Sequence, residues 1–370
     1  MKIALVITEL YPGGAERCFV QLALFLRRYG HEVQVWQLWP APPPERNHLV
    51  ETLVAADIKV HSCEVQKPWQ FPSAVGQLRR RWRAYQPDIV QAFLFHANFA
   101  AALSTPKNSK LFGGARVAQP EQIRQRLQRF SARQMECLVA VSESVAAHCT
   151  GVEKIPSEKV EVIPNGINLD QFESRAREEA CWTEFGMSAD AKVLLFLGRL
   201  AAQKGVLPFS DQLESLLDRL PHHEVVFMGD GDQRESLQTR ISQNRHARRI
   251  RLVGWQANTA KWLSRSECLF LPAVYEGMPN VVLEAMAAAK PFICFNVDGL
   301  ADLVGDSLLL RKQAIPRGDY ARFCNAIVEI CNDRALSDEL RQANQARIKD
   351  AFDLEKQLLK YQELYERFLD

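Results

Sequence analysis

The chain has 370 residues, of which 47% are hydrophobic, and its formal net charge is +2. This length exceeds what one hydrophobic core usually serves, so we expect two domains of about 150–200 residues each. The small net charge argues against a general nucleic-acid-binding protein.

The cysteines and the apolar runs indicate the compartment. The nine cysteines show neither CxxC nor Cys/His metal spacing, which favours free thiols in a reducing compartment. Glu9 interrupts the opening apolar run too early for a signal peptide, and no apolar run approaches the ~18 residues that span a bilayer. The sequence therefore predicts a soluble, cytoplasmic protein.

Short β-branched runs alternate with amphipathic stretches in two series. The first series predicts strands at residues 2–7, 32–38, 88–93 and 137–141, with helices at 15–29 and 73–85. The second predicts strands at 192–197, 224–228, 251–253, 268–271 and 292–295, with helices at 205–220 and 232–244. The tail, 335–370, is predicted to be helical. This alternation indicates an α/β fold with parallel sheets covered on both faces.

The two series are separated by VIPNGINLDQF, residues 162–172, whose Pro-Asn-Gly turn marks a loop. We therefore predict a first domain over 1–168 and a second domain over 169–351. Doubly wound sheets joined here are expected to meet across a cleft, with ligands beyond the carboxyl ends of the strands.

Two loops that follow predicted strands suit phosphate groups. In TELYPGGAER, residues 8–17, Gly13 and Gly14 let backbone N–H groups approach an oxyanion at a helix start. The same pair also suits a purely structural turn. In FLGRLAAQKG, residues 196–205, Arg199 and Lys204 suit a diphosphate, Arg by its fork and Lys as a point charge. A solvated loop is the alternative for these two cations.

Two further strand ends carry candidate polar groups. His96 follows the predicted strand 88–93 and is either a functional residue or a structural histidine near the core. Asp230 and Asp232 flank Gly231 in MGDGDQ, but the sequence offers no third ligand beside them. We therefore predict no metal site there.

The segment EGMPNVVLEAMAAAKP, residues 276–291, begins with Glu276 and carries a second acid, Glu284. Glu276 is expected in a loop, and Glu284 about one turn into a helix that Pro279 begins. Carboxylates accept hydrogen bonds from vicinal diols, so ribose and hexose suit them, while the helix N-terminus between them suits a phosphate. A helix-start acid and a buried ion pair are the structural alternative.

Seven segments occur in an order and at a spacing that resemble one enzyme family. They are ELYPGGAER, VSES, VIPNGIN, GRLAAQKG, VVFMGDGD, LVGW and EGMPNVVLEAMAAAKP. The chain resembles the retaining, nucleotide-sugar-dependent glycosyltransferases of group 1 (family 4), of the bacterial polysaccharide and lipid-linked glycan class. The resemblance implies a GT-B fold of two doubly wound Rossmann-like domains facing a central cleft, with a last helix over 352–370 packing back on the first domain.

The same resemblance implies the reaction. A hexosyl group would pass, with retention of configuration, from a UDP-sugar, or else a GDP-sugar, to a glycan or polyprenyl-diphosphate-linked acceptor. No cofactor and no metal ion are implied. Glycosyl transfer of this class would serve cell-surface polysaccharide synthesis.

The resemblance also assigns roles to matching residues. Glu284 is expected to hold the ribose hydroxyls and Glu276 the transferred sugar, while Arg199 and Lys204 neutralise the diphosphate. His96 is expected near the reacting centre in an electrostatic or positioning role. The catalytic candidates are therefore His96, Glu276, Arg199 and Lys204. The expected donor contacts are Gly13, Gly14, Gly254, Trp255, Gly277, Met278, Pro279, Asn280, Val281 and Glu284, and the acceptor-side candidates are Glu16 and Arg116.

Two positions depart from the family pattern, and LLLRKQAIPRGD is an altered version of the family's glycine-and-proline stretch. Ala289 stands where many relatives have glycine before Lys-Pro, and Asp302 stands where an acid one carbon longer is usual. Neither is a candidate catalytic residue, so both bear on substrate details rather than on activity.

Two basic clusters lie in the predicted first domain. Residues 107–133 hold seven basic residues against one acid, Glu121. The second cluster surrounds Trp82 and consists of Arg79, Arg80, Arg81 and Arg83. Such clusters are either solvated faces or contacts to an anionic surface, and a lipid-linked acceptor would place them at the inner face of the cytoplasmic membrane.

Two other functions stay open. A different GT-B enzyme, such as a sugar-nucleotide 2-epimerase or a phosphorylase, would lack this pair of glutamates or need a pyridoxal-phosphate lysine that the sequence does not reveal. A non-catalytic sugar-nucleotide-binding partner subunit would be expected to have lost Glu276, Arg199 or Lys204, and all three are present.

Overall fold

The computed structural model describes residues 1–118 and 121–369, which divide into two compact units. The first unit comprises Met1–Asn165 and the C-terminal segment from Glu355, and the second unit is Gly166–Leu354. The chain therefore passes from one unit to the other at 165/166 and again at 354/355, where the sequence predicted 168/169 and 351/352.

The first unit is built on a seven-stranded parallel sheet in the order β3-β2-β1-β4-β5-β6-β7. Its strands are β1 Lys2–Ile7, β2 Glu32–Gln37, β3 Lys59–Ser62, β4 Ile89–Phe93, β5 Lys110–Ala115, β6 Cys137–Ala140 and β7 Val160–Val162. Its helices are α1 Gly14–Arg28, α2 His48–Ala55, α3 Phe71–Tyr85, α4 Phe95–Ser104, α5 Gln122–Arg133 and α6 Glu143–Gly151. The central strands β1 and β4 are buried along nearly their whole length, because helices cover both faces of a doubly wound sheet.

The second unit is built on a six-stranded parallel sheet in the order β10-β9-β8-β11-β12-β13. Its strands are β8 Lys192–Leu197, β9 His223–Met228, β10 Ile250–Gly254, β11 Cys268–Leu271, β12 Phe292–Phe295 and β13 Ala314–Ile315. Its helices are α7 Leu169–Ala176, α8 Val206–Ser210, α9 Leu213–Arg219, α10 Arg234–Gln243, α11 Ala260–Arg265, α12 Asn280–Ala287, α13 Leu300–Val304, α14 Leu308–Arg311, α15 Tyr320–Asn332 and α16 Arg334–Ala351. The predicted α/β class with two doubly wound parallel sheets is confirmed.

The last helix, α17 Leu354–Glu366, packs against the first unit. The Tyr365 hydroxyl donates to Gln91 Oε1 at 3.0 Å, and the Tyr365 and Phe112 ring centroids are 5.0 Å apart. Tyr361 lies over Phe93 at 6.3 Å. Tyr365 is fully buried, so this helix forms part of the first unit's core.

The structure differs from the sequence predictions at one helix and at four strands, β3, β5, β7 and β13, which were not predicted. The single helix predicted at 205–220 is divided into α8 and α9 at residues 211–212. Strand β5 was not predicted, since its sequence KLFGGA contains two glycines, which are poor strand residues. A Cβ at Gly113 would collide with the side chains of Met135 and Leu138, so close packing accounts for that glycine.

Among the described residues, every helix is too short or too polar to cross a lipid bilayer.

Candidate functional site

The candidate residues lie where each sheet reverses its strand order. In the first sheet this switch point lies between β1 and β4, and in the second between β8 and β11. Ligands of doubly wound sheets bind beyond the carboxyl ends of the strands at such points. Gly13, Gly14 and His96 follow β1 and β4, whose last residues pair in register as Ile7 and Phe93.

In the second unit, the loop after β8 is fastened to the loop after β11. The Val274 N–H donates to the Gln203 carbonyl at 2.8 Å, and Gln203 Nε2 donates to the Tyr275 carbonyl at 3.0 Å. Beside these bonds, Lys204 Nζ forms an ion pair with Glu276 Oε1. The structure therefore brings two of the four predicted catalytic residues into direct contact.

Two glycines allow these loops to approach one another. Gly205 has φ +66°, and a Cβ there would collide with the Pro272 carbonyl oxygen at the start of the β11 loop. Gly229, after β9, has φ +144°, and its Cβ would collide with the Gly198 carbonyl. The backbones pass too closely for any side chain at either position.

The Lys204–Glu276 pair is shielded from solvent. The two side chains are 16% and 10% exposed, so their attraction is screened less than that of a surface pair. Removing either partner would leave a poorly solvated charge, which is costly. Arg199, two residues after β8, is exposed, and within residues 1–118 and 121–369 its guanidinium forms no hydrogen bond or ion pair.

Glu284 is held by a different loop. Thr259 lies in the loop after β10, and its hydroxyl donates to Glu284 Oε2 at 3.1 Å. Glu284 lies on α12, whose first turn has no side-chain cap from the N-cap residue Pro279. The Val282 and Leu283 N–H groups of this turn donate to the Pro279 carbonyl at 2.9 and 3.2 Å, so an anion would be attracted here mainly by the positive end of the helix dipole. Thr259 was missed, because a threonine in a polar loop carries no signal in the sequence.

The other predicted donor contacts lie near these loops. Residues 277–279 are buried between Glu276 and α12, and Asn280 and Val281 begin the helix half-buried. Gly254 ends β10 with φ +75°, and its carbonyl accepts the Gly229 N–H at 2.8 Å. Trp255 follows it and is half-buried.

His96 is the second residue of α4 and lies in an aromatic setting. Its ring centroid is 5.9 Å from Trp39 and 5.2 Å from Phe95. Burial, and then the nearby Arg124, lower the pKa of His96, while Glu121 raises it. The lowered pKa favours the neutral imidazole, whose ring nitrogens can both donate and accept a hydrogen bond.

The backbone before His96 is strained. Leu94 has φ +72° and ψ 157°, a region in which residues other than glycine are rarely found. This conformation turns the chain sharply between β4 and α4. Strain of this kind clusters at functional sites, which is consistent with the role predicted for His96.

The glycines after β1 do not present an open anion site. Gly13 is the N-cap of α1 and has no side-chain cap. A Cβ at Gly13 would collide with the Glu16 carboxylate, which lies against this residue. Since a phosphate would be repelled by that carboxylate, Glu16 has to rotate away before Gly13 and Gly14 can bind one.

Arg116, an acceptor-side candidate, is only 8% exposed. Its guanidinium donates to Asn165 Oδ1 and lies 5.1 Å from the Phe93 ring centroid. These contacts favour a structural role, in which Arg116 fastens Asn165, where the chain leaves the first unit, to the core of that unit. Within the described residues, no three His, Cys, Asp or Glu side chains are close enough to hold a metal ion.

Comparison with known proteins identifies the family. The family model described as "Glycosyl transferases group 1" matches residues 191–333, and that described as "Glycosyltransferase Family 4" matches residues 12–171. The chain belongs to the family 4, group 1 glycosyltransferases. The two matches together span most of both units, so membership does not depend on one motif.

Two curated relatives of this family 4 chain are about one-quarter identical to it over the aligned residues. The UDP-Gal:α-D-GlcNAc-diphosphoundecaprenol α-1,3-galactosyltransferase of Escherichia coli is 26% identical over 243 residues, which are 65% of this chain and 62% of that protein. Glycogen synthase of Mycobacterium tuberculosis H37Rv is 25% identical over 393 aligned positions, 95% of this chain and 91% of that protein. The chain thus spans about six-tenths of the E. coli relative's length.

Solved structures share the fold. Anabaena Alr3699/HepE, in complex with UDP and glucose, matches with a TM-score of 0.85 at 18% identity, over 99% of this chain and 100% of that one. WaaG, a glycosyltransferase involved in lipopolysaccharide biosynthesis, matches with a TM-score of 0.75 at 16% identity, over 98% and 99%. The GT-B class of two Rossmann-like domains is confirmed for this family 4 chain.

Proposed function

We propose that the protein transfers a hexosyl group, with retention, from a nucleotide diphosphate sugar to a glycan or lipid-linked glycan. The shielded Lys204–Glu276 pair at the β8/β11 switch point is the observation that carries this proposal. The pair places a cation beside a carboxylate. In a bound nucleotide sugar the cation would meet the phosphate and the carboxylate would meet the hydroxyl groups of the adjoining sugar. A UDP-sugar is the favoured donor and a GDP-sugar the second candidate.

The chemistry demands that negative charge on the departing diphosphate be stabilised. Lys204 and Arg199 supply two cations, and the start of α12 adds the positive end of its helix dipole. Glu276 accepts hydrogen bonds from the transferred sugar and Glu284 from the ribose. Neutral His96 orients the sugar, and the departing phosphate takes the acceptor's proton on the same face. These groups need no metal ion, so activity is expected to survive chelation.

Two relatives support a uridine donor. The E. coli relative is named for UDP-Gal, and the Anabaena structure contains UDP and glucose. Assays with UDP-glucose, UDP-galactose and GDP-mannose would follow nucleoside diphosphate release with and without a diphosphoundecaprenol-linked acceptor. We expect the acceptor to increase nucleoside diphosphate release more with a UDP-sugar than with GDP-mannose. An equal increase with every donor would contradict the choice of a uridine donor.

Variants distinguish an enzyme from a binding subunit. Lys204→Met and Glu276→Gln are each expected to lower kcat by about 10²–10³-fold, because they remove charge placed for the transition state. Lys312→Met is the matched control, since Lys312 is an exposed lysine of the same unit. Binding of UDP without any UDP release by the unaltered protein would favour the non-catalytic subunit.

We also propose that the first unit touches an anionic membrane surface at the cytoplasmic side. Helix α5 exposes Ile123 and Phe130, at 73% and 41%, and Arg126 beside them. Phe130 packs on Phe99, with ring centroids 6.1 Å apart, and Phe99 stacks on Phe71 at 5.6 Å. Apolar side chains among arginines are typical of an interfacial surface. The E. coli relative's lipid-linked acceptor is consistent with this location.

The arginines around Trp82 do not all face solvent. Arg79 donates from Nε to the Leu103 carbonyl at 3.0 Å, and Arg81 is half-buried near His61 and Cys63. Arg80 and Arg83 are exposed and are the residues available to lipid.

A vesicle assay tests the membrane contact. Binding to phosphatidylglycerol vesicles is expected to weaken with salt and to fall by roughly fivefold for each of Arg80→Glu, Arg83→Glu and Arg126→Glu. Arg240→Glu, on the second unit, is the control. The contact would be refuted by equal binding to neutral phosphatidylcholine vesicles. It would also be refuted if a variant that combines the three substitutions bound phosphatidylglycerol vesicles as well as the unaltered protein does.

A further inference from the structure

A second charged pocket lies in the second unit, away from the candidate donor site. It is a cavity of about 400 Å³. Lys192 is the first residue of β8, Glu267 precedes β11 and Lys290 precedes β12. The pocket therefore lies at the amino edge of the sheet, whereas the candidate site lies at the carboxyl edge, and a six-residue strand spans about 20 Å.

The lining of this pocket is strongly basic. Four cations, Lys192, Arg265, Lys290 and Arg341, face two acids, Asp190 and Glu267. These residues come from four separate segments of the chain. Cations gathered around one cavity repel one another, which costs free energy. An anion with more than one negative charge would relieve this repulsion, so the arrangement suits such an anion.

Two of the cations carry a nitrogen that has no hydrogen-bond acceptor in the described part of the chain. Lys290 is partly buried, and its ammonium makes no hydrogen bond or ion pair there. Burial and the nearby Arg341 lower the pKa of Lys290 to about 8, while Glu267 raises it. Arg341 Nε is buried without a hydrogen-bond partner, although its Nη1 lies 3.6 Å from Asp338. Buried donors of this kind are destabilising until an acceptor reaches them.

We propose that this pocket binds a small phosphate-bearing anion. Phosphate oxygens accept charge-assisted hydrogen bonds from lysine and arginine, and they would supply acceptors for the Lys290 ammonium and for Arg341 Nε. The volume lies within the range of about 300–1,000 Å³ for small-molecule sites. The proposal stands apart from the proposed transferase activity, since none of these residues belongs to the candidate donor site.

Cys181 lines the same pocket and provides a direct readout. It is partly exposed, and hydrogen bonding by Thr183 lowers the pKa of its thiol, so it should react readily with iodoacetamide. Its labelling rate would be measured by peptide mass spectrometry in inorganic pyrophosphate, in inorganic phosphate, and in sodium chloride of equal ionic strength. We expect pyrophosphate to slow labelling at least threefold relative to chloride, and phosphate to slow it less.

Variants locate the effect. Lys290→Met is expected to abolish this protection, and Lys192→Gln, at an exposed position, to reduce it. Lys312→Met and Lys204→Met should keep it, because neither residue lines the pocket. Labelling equally fast in pyrophosphate and chloride, or protection unchanged in both Lys290→Met and Lys192→Gln, would overturn the proposal.

Discussion

Replacing Ala289 with glycine should stabilise the protein, although glycine usually does the opposite. Ala289 directly follows the C-cap of α12 and has φ +50°. Its N–H donates to the Met286 carbonyl at 3.0 Å, and the Lys290 N–H donates to the Ala285 carbonyl at 2.9 Å. These two bonds define a Schellman motif, whose left-handed residue is normally glycine.

The expected gain follows from two opposing terms. The left-handed conformation costs an alanine roughly 1–2 kcal/mol. Glycine removes this cost, but it also gives the unfolded chain more conformational freedom, which offsets about 0.4–1 kcal/mol of the gain. Ala289→Gly should therefore raise the free energy of unfolding of the second unit by about 0.5–1 kcal/mol. For a unit of this size, that corresponds to a rise in Tm of about 1–4 °C.

Differential scanning calorimetry of the full chain would measure this change. Ala288→Gly is the matched control, because Ala288 lies one residue earlier with φ −72°. Glycine relieves no strain there and should lower stability by roughly 0.5–1 kcal/mol. If Ala289→Gly lowers Tm as much as Ala288→Gly does, the strain argument is wrong.

Three further changes test the second unit. Gly205→Ala should lower the Tm of the unit by several degrees, since its Cβ would collide with the Pro272 carbonyl and the backbone would have to shift. In a double-mutant cycle read by denaturant unfolding, Lys204→Met should be destabilising by about 1–3 kcal/mol and Lys204→Met with Glu276→Gln by less, because the second change removes the uncompensated acid. Lys290→Met should raise stability at pH 7 by about 1–3 kcal/mol. Since the pKa of Lys290 is about 8 when folded and 10.5 normally, this gain should be full below pH 8 and disappear as pH approaches 10.5; a constant gain would contradict it.

Local patterns predicted the central strands well. β1 and β8 match their predictions to the residue, because a strand buried on both faces needs an unbroken apolar run. β5 was missed, since Gly113 packs against Met135 and Leu138 and Gly114 lies against Ala92 and Phe93, and these contacts leave no signal in the local sequence. The Schellman cap after α12 was not predicted, because alanine occupies position 289 where such a cap normally has glycine.

The candidate site was predicted in its parts but not in its contacts. Lys204 and Glu276 were both singled out as charged residues that follow strands. Their pairing joins positions 72 residues apart, and that proximity comes from the adjacency of β8 and β11 in the sheet. The hydrogen bond from Thr259 to Glu284 was not predicted either, since it depends on a loop whose composition is unremarkable.

The C-terminal helix has a consequence for synthesis on the ribosome. Tyr361 and Tyr365 cover Phe93 and Phe112, yet they emerge only after the whole of Gly166–Leu354 has been translated. Until then the nascent first unit exposes an apolar face that its own final helix must later close. Chaperones that bind the protein during translation should therefore bind this face. A chain that stops near residue 354 should leave the face permanently exposed and should be prone to aggregate.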